Sequence, residues 1–272
     1  MKDLILIKLG GSLITDKNKP YTPRPRVISR LAKEIKKALD LGIKIIVSHG
    51  SGSFGHTLAS KYGTADGIKR KKDVYGLCLV QQDAIAINRI VNQIFLQNKI
   101  SCLSFVPSSF SFAQNKKLKA IFVEPIVAAL KLNIIPIVFG DIILDEKLGC
   151  CIFSGEVTLD NLSEGLQKRG FKTRKVIQCG TTDGVYDEKG QTIPLITPKN
   201  FEKIKKALGG AAGTDVTGGM LHKVEESLKM ARLGIVVYII NGKIKDNLYK
   251  AIVSRPKFGT LITYEGTTVN FS

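Results

Sequence analysis

Gly50-Ser51-Gly52-Ser53-Phe54-Gly55-His56 leaves an apolar run, places three glycines within six residues and closes on a histidine. Glycines at that density let the backbone turn several N–H groups toward one point, which suits a phosphate. The Gly-x-Gly-x-x-Gly spacing fits both a dinucleotide fingerprint and the glycine-rich loop of protein kinases. The dinucleotide reading fails on context. Its loop follows the first strand of a unit and is answered by an acidic residue about 20 positions on, whereas this loop follows the second strand and Asp73 lies in a lysine-rich stretch. The chain also has no His-Arg-Asp, no Asp-Phe-Gly and no Gly-Lys-Ser/Thr, so neither a protein-kinase core nor a Walker loop is present.

Lys8, Lys17 and Lys223 stand near other glycine turns: Gly10-Gly11-Ser12, Gly140-Asp141, Ser154-Gly155 and Gly218-Gly219. Phosphoryl transfer asks little covalent help of a protein. It needs positive charge on the transferring oxygens and two substrates held in line, and lysines with backbone amides supply both. Lys8 ends an apolar strand, where a buried ammonium demands a partner. His56 would donate a hydrogen bond to an acceptor phosphate or take a proton from an acceptor hydroxyl. His49 reads as a loop-capping group, and Asp183-Gly184 as either a plain turn or a functional loop.

The elements that position these groups alternate. Leu4 to Ile7 is a buried strand, Ile28, Leu31, Ile35 and Leu39 recur at helical spacing, and Gly42 precedes the strand Ile43 to Val47. That βαβ unit puts two glycine loops at the same end of a parallel sheet. A polar loop over 61–73, a helix from Val74 to Asn98, a strand Ser101 to Val106, a helix Pro125 to Lys131 and a strand Ile134 to Phe139 follow. A hairpin from Ile142 to Phe153 leads into a helix Glu156 to Lys168. Beyond it come the strand Lys175 to Cys179, a short helix from Pro198, a glycine link 209–213, the helix Leu221 to Leu233 and strands Ile235 to Ile240 and Gly259 to Ile262. The expected architecture is one continuous sheet with two lobes.

Composition narrows the function classes. The 272 residues carry 41 Lys and Arg against 23 Asp and Glu, a formal charge of +18, but the basic residues are spread along helices, with no basic tail. That pattern fits solvated faces and anionic small molecules better than nucleic acid. No apolar run nears the roughly 18–20 residues of a membrane span, and the amino terminus lacks a signal peptide, so a cytoplasmic location is expected. Five cysteines without a Cys-x-x-Cys pair and three histidines argue against a disulfide framework or a structural metal site.

From Lys8 to Thr260 the chain resembles the amino acid kinase family. The motifs are Lys8-Leu-Gly-Gly-Ser12, Gly50-Ser-Gly-Ser-Phe-Gly-His56, Gly140-Asp141, Ser154-Gly155, Asp183-Gly-Val-Tyr186 and Asp215-Val-Thr-Gly-Gly-Met220 with Lys223. Within it, the histidine loop is similar to that of the archaeal-type isopentenyl phosphate kinases, a branch that phosphorylates a phosphate or phosphonate. The resemblance implies an α/β fold, an open αβα sandwich with a mainly parallel sheet, usually as a homodimer. It implies an acceptor lobe over 1–170 and an ATP lobe over 171–272. Gly50, Ser51, Gly52, Gly55, His56, Ser154 and Gly155 would bind the acceptor, isopentenyl phosphate. Lys8, Gly10, Gly11, Ser12, Lys17, Gly218, Gly219, Asp215 and Lys223 would hold ATP phosphates, with Asp183, Gly184 and Tyr186 near the nucleoside. Mg2+ would arrive with ATP, and Leu77, Val80 and Ile142 would line an apolar tail pocket.

Two positions depart from the family pattern. Glu156 stands where the family has an aspartate that orients the lysines, and Thr181 stands where the nucleoside loop has its first aspartate. A kinase of fosfomycin-like phosphonates is the alternative within the fold, and a catalytically silent nucleotide sensor or a basic RNA-binding protein is the alternative outside enzymes. Retention of Lys8, His56 and Lys223 together speaks against silence.

Overall fold

The structure is a computed structural model that describes residues 2–55, 62–210 and 216–264. Strands β1 (Lys2–Leu9), β2 (Lys44–His49), β3 (Cys102–Ser104), β6 (Ile135–Phe139), β9 (Phe171–Gly180), β10 (Leu195–Ile196), β11 (Val236–Asn241) and β12 (Thr260–Ile262) form an eight-stranded sheet, in the order β10-β12-β11-β9-β1-β2-β6-β3. The six strands from β3 to β11 run parallel; β12 turns against β11, and β10 follows β12. From β1 the chain builds outward first to one side and later, through β9, to the other. The carboxyl end of β1 is therefore a topological switch point, where such sheets open a crevice for ligands.

Alternation along the strands sorts the two faces. Ile7 and Leu9 of β1, Val47 of β2 and Ile177 of β9 pack with α2 (Pro25–Leu39), α3 (Lys71–Gln97) and α8 (Asn247–Val253) in one core. Leu4 and Leu6, Ile46 and Val176 face the opposite core, with α4 (Glu124–Lys131), α5 (Gly155–Gln167), α6 (Pro198–Gly210) and α7 (Val216–Arg232). This is the expected αβα sandwich. A short first helix, α1 (Gly11–Ile14), fills the turn after β1.

Several details differ from the sequence expectation. The Ile142–Phe153 hairpin, β7 (Asp141–Asp145) with β8 (Gly149–Phe153), leaves the main sheet. It joins a second hairpin, β4 (Ser111–Gln114) with β5 (Lys117–Ile121), in a separate four-stranded sheet, order β5-β4-β7-β8. Helix α3 starts at Lys71 because Asp73 caps its own first turn: its Oδ2 accepts from the Lys69 and Arg70 amides at 3.1 and 2.9 Å. Helix α6 runs through Gly209 and Gly210, where a link was expected; residues 211–213 lie outside the described residues. No helix among the described residues is long and apolar enough to cross a membrane.

Candidate active site

Lys8 falls on the same face of β1 as Leu4 and Leu6, so its ammonium enters the layer under α5 and α7. There it meets the Glu156 carboxylate at 2.5 Å, with both side chains buried. Glu156 stands in the first turn of α5, whose N-cap Ser154 accepts the Val157 amide through Oγ at 3.2 Å. A carboxylate in that first turn also faces the positive end of the helix dipole. Burial pushes the Glu156 pKa upward, but the Lys8 and Lys223 charges and the Lys8 hydrogen bond outweigh it, and the group is held below 4.5.

Lys223, two turns into α7, is half-buried. Burial lowers its pKa, the Lys8 charge lowers it further, Glu156 raises it and Lys17 lowers it again. Lys223 therefore senses Lys8, Lys17 and Glu156, and Glu156 senses both Lys8 and Lys223, which sets more positive than negative charge about Lys223.

The glycine loops meet backbone to backbone. A Cβ on Gly11 would lie 2.5 Å from the Gly52 nitrogen, and one on Gly50 would lie 2.9 Å from the Gly11 nitrogen. Gly52 has φ +53°, and a side chain there would strike the Thr15 hydroxyl at 2.0 Å. On the other flank a Cβ on Gly155 would meet Ser48 Oγ at 2.8 Å, and one on Gly140 the Gly155 nitrogen at 3.1 Å. Lateral bonds from Gly10 to Cys179, Gly50 to Leu9, Gly140 to His49 and Gly242 to Gly180 align these turns along one edge of the sheet. The amides of Gly10, Gly50, Gly140 and Gly242 are spent in these bonds, and what the missing side chains allow is the close approach of the turns to one another.

The sequence singles out Lys8, Gly10, Gly11, Ser12, Lys17, Gly50, Ser51, Gly52, Gly55, Ser154, Gly155, Glu156 and Lys223, and the fold gathers all of them at this edge. Gly218 and Gly219 lie in the first turn of α7. Asp183, Gly184 and Tyr186 follow β9: Tyr186 Oη bonds the Asp183 carboxylate at 3.1 Å and Asn241 Nδ2 donates to it at 2.8 Å. His56 and Asp215 lie outside the described residues. His49 bonds the loop it precedes, in keeping with the loop-capping reading. It is fully buried, stacks on Phe139, directs Nε2 at Asn88 Oδ1 (3.1 Å) and Nδ1 at the Gly50 carbonyl (3.2 Å), and burial holds its pKa down.

Sequence reasoning passed over Gln178. It pairs in register with Lys8 on β9 and donates from Nε2 to Ser227 Oγ at 2.9 Å, while Ser227 donates to the Lys223 carbonyl at 2.6 Å. A polar residue inside Val176-Ile177-Gln178-Cys179 is the same signal that identifies Lys8. Among the described residues no three His, Cys, Asp or Glu side chains converge as metal ligands.

Comparison with known proteins gives the family and the fold. Residues 3–241 match the model of the amino acid kinase family. The chain is 33% identical to an isopentenyl phosphate kinase of Methanocaldococcus jannaschii over 99% of each chain. It is 31% identical to one from Methanothermobacter thermautotrophicus, over 96% of this chain and 99% of that one. An X-ray structure of isopentenyl phosphate kinase superposes with a TM-score of 0.80 at 27% identity, covering 96% of this chain and 100% of the other.

Proposed function

The chain belongs to the amino acid kinase family, and on that premise we propose how its cleft works. The protein is an ATP-dependent kinase that phosphorylates isopentenyl phosphate to isopentenyl diphosphate. The observation that carries this reading is the buried Lys8–Glu156 pair beside Lys223, set among the glycine turns of a chain similar to isopentenyl phosphate kinases along its full length.

The acceptor oxygen belongs to a phosphate monoester whose second pKa is about 6, so it is already anionic at neutral pH. No general base is required. What the site must do is hold two anions together and take up charge as the bond from the γ-phosphorus to the bridging oxygen of ATP lengthens. We assign the acceptor phosphate to the 50–55 loop, Ser154 and Gly155, with His56 donating a hydrogen bond to it. Lys8 and Lys223 lie along the transferring phosphoryl group, and Lys17 lies over it from its loop. The ATP phosphates rest on Gly10, Gly11, Ser12, Gly218, Gly219 and Asp215, and the nucleoside on the 183–186 turn. In this reading residues 1–170 hold the acceptor and 171–272 hold ATP.

Mg2+ supplies charge neutralisation on the ATP phosphates. Because no ligand cluster is formed by the described side chains and Glu156 is engaged by Lys8, the ion would be carried mainly by phosphate oxygens and water. The isoprenoid tail is assigned to the region where α3, carrying Leu77 and Val80, packs on β7, carrying Ile142. A cytoplasmic homodimer completes the proposal, on family grounds.

The test is ADP release with Mg-ATP and isopentenyl phosphate, fosfomycin, glutamate, aspartate or UMP at matched concentrations. Turnover confined to isopentenyl phosphate is expected. Turnover on fosfomycin alone would move the protein to the phosphonate branch, and silence on all five would overturn the enzymatic reading.

A further inference from the structure

Lys17 sits on an exposed loop, and a four-carbon side chain on a free loop is a poor tool for placing charge. The loop is not free. Thr15 is fully buried, and its hydroxyl donates to the Gly11 carbonyl at 2.7 Å while accepting the Ser53 amide at 2.9 Å. One hydroxyl thus joins the turn after β1 to the acceptor loop after β2, in the space that the missing Gly52 side chain leaves open.

Ser53 completes the clamp. Its carbonyl accepts the Tyr21 amide at 3.2 Å, and its hydroxyl accepts the Thr22 amide at 3.2 Å. The loop closes on itself through a Thr15–Pro23 bridge and an Asp16 amide to Thr22 carbonyl bond of 2.8 Å. Tyr21 carries the attachment on to α3, with its hydroxyl 3.0 Å from Asp83 Oδ2 and its ring set edge-on to Phe54. Lys17 lies between these anchors.

We infer that Thr15 and Ser53 are positioning residues that bind the Lys17 loop to the acceptor loop as one unit, so that seating the acceptor phosphate also fixes the Lys17 ammonium over the transferring phosphoryl group. This rests on the assignment of Lys17 to the ATP phosphates. A loop held this way orders in step with its neighbour, and binding of one substrate then favours the other. Neither hydroxyl needs to touch a substrate for this to operate.

The experiment is a double-mutant cycle on the full chain, reading kcat and both KM values. Thr15→Val keeps the shape and removes both hydrogen bonds; it is expected to lower kcat about 30-fold, while the KM for isopentenyl phosphate moves less than about threefold. Thr15→Ser, which retains the hydroxyl, is expected to stay within about threefold of the wild type. In a Lys17→Ala background Thr15→Val is expected to change kcat by less than about twofold, since the group it positions is gone. Full multiplication of the two losses, or failure of Thr15→Ser to rescue, would overturn the positioning role alone. Wild-type turnover by Lys17→Ala would overturn the assignment of Lys17 and the proposal with it. Should Thr15→Val not fold, Ser53→Ala removes only the bond to Thr22 and enters the same cycle, with an expected loss of about fivefold that vanishes in the Lys17→Ala background.

Discussion

Replacing Glu156 by glutamine would test the electrostatic core of the site. At 2.5 Å the Lys8–Glu156 attraction is about 7 kcal/mol at an effective dielectric constant of 20, most of it offset by the desolvation of two buried ions. Removing the charge of one partner leaves the other ion buried alone, which typically costs about 3–5 kcal/mol. Glutamine still accepts one hydrogen bond from Lys8, so we expect about 3 kcal/mol, read as a fall in Tm of about 5 °C for a chain of this size. The pH dependence gives a second readout. Glu156 is held below 4.5 by Lys8 and Lys223, so its stabilisation is present above that value and is lost as pH falls through the depressed folded pKa. Glu156→Gln should flatten that acidic loss. Lys223 also loses the one neighbour that raises its pKa, so the alkaline limb of kcat should move to lower pH. The loss in kcat is expected to be about 100-fold. A variant that melts like the wild type with an unmoved alkaline limb would refute the argument that this pair organises the lysines.

Three further outcomes follow from named contacts. His56→Ala is expected to leave ATP binding by calorimetry nearly intact while lowering kcat about 100-fold; unchanged turnover would remove His56 from the acceptor site. Lys175→Met should cost about 3 kcal/mol by urea denaturation with kcat retained, because the Lys175 ammonium donates to the carbonyls of Ala251, Ile252 and Ser254 at the end of α8. Asp160 has its pKa raised to about 6 by burial and by Glu226 and Glu164. The folded chain therefore holds that proton more tightly than the unfolded chain, and the stability this confers fades as pH rises from about 4 to 6. Asp160→Asn should then stabilise by up to about 3 kcal/mol at pH 7, with the gain gone below pH 4; equal gains at both pH values would refute the assignment.

What the sequence made legible was local or periodic. Lys8 announced itself as a charge at an even position of an apolar strand, and the same alternation set its face. The β4–β5 hairpin was not legible because its turn lacks the usual glycine. Asn115 and Lys116 both take positive φ (52° and 63°), a strained choice for lysine. The compensation comes from β7. Asp145 accepts the amides of Asn115 and Lys116 at 3.1 and 2.7 Å, together with those of Lys147 and Leu148. Burial alone would raise that carboxyl, and the four backbone bonds carry it down to about 2. A turn held by an aspartate 29 or 30 residues away leaves no mark in a local window. Thr15 and Ser53 escape notice for the same reason, since their bond spans 38 residues.

At position 156, where the family resemblance leads one to expect aspartate, the glutamate reaches Lys8 from the first turn of α5. Ser154 caps α5 and fixes where its first turn begins, and the extra methylene carries the carboxylate into contact with Lys8 while its charge still reaches Lys223. A shorter side chain at this backbone position would have to bring α5 closer to β1, and Gly155 already lies against Ser48 and the His49 carbonyl. The helix has no room to approach. Glu156→Asp in this chain should therefore lengthen the contact with Lys8, with a fall in kcat smaller than that of Glu156→Gln. Recovery of full activity would mean that α5 shifts toward the sheet, and that the glycine contacts at 140 and 155 are looser than their distances indicate.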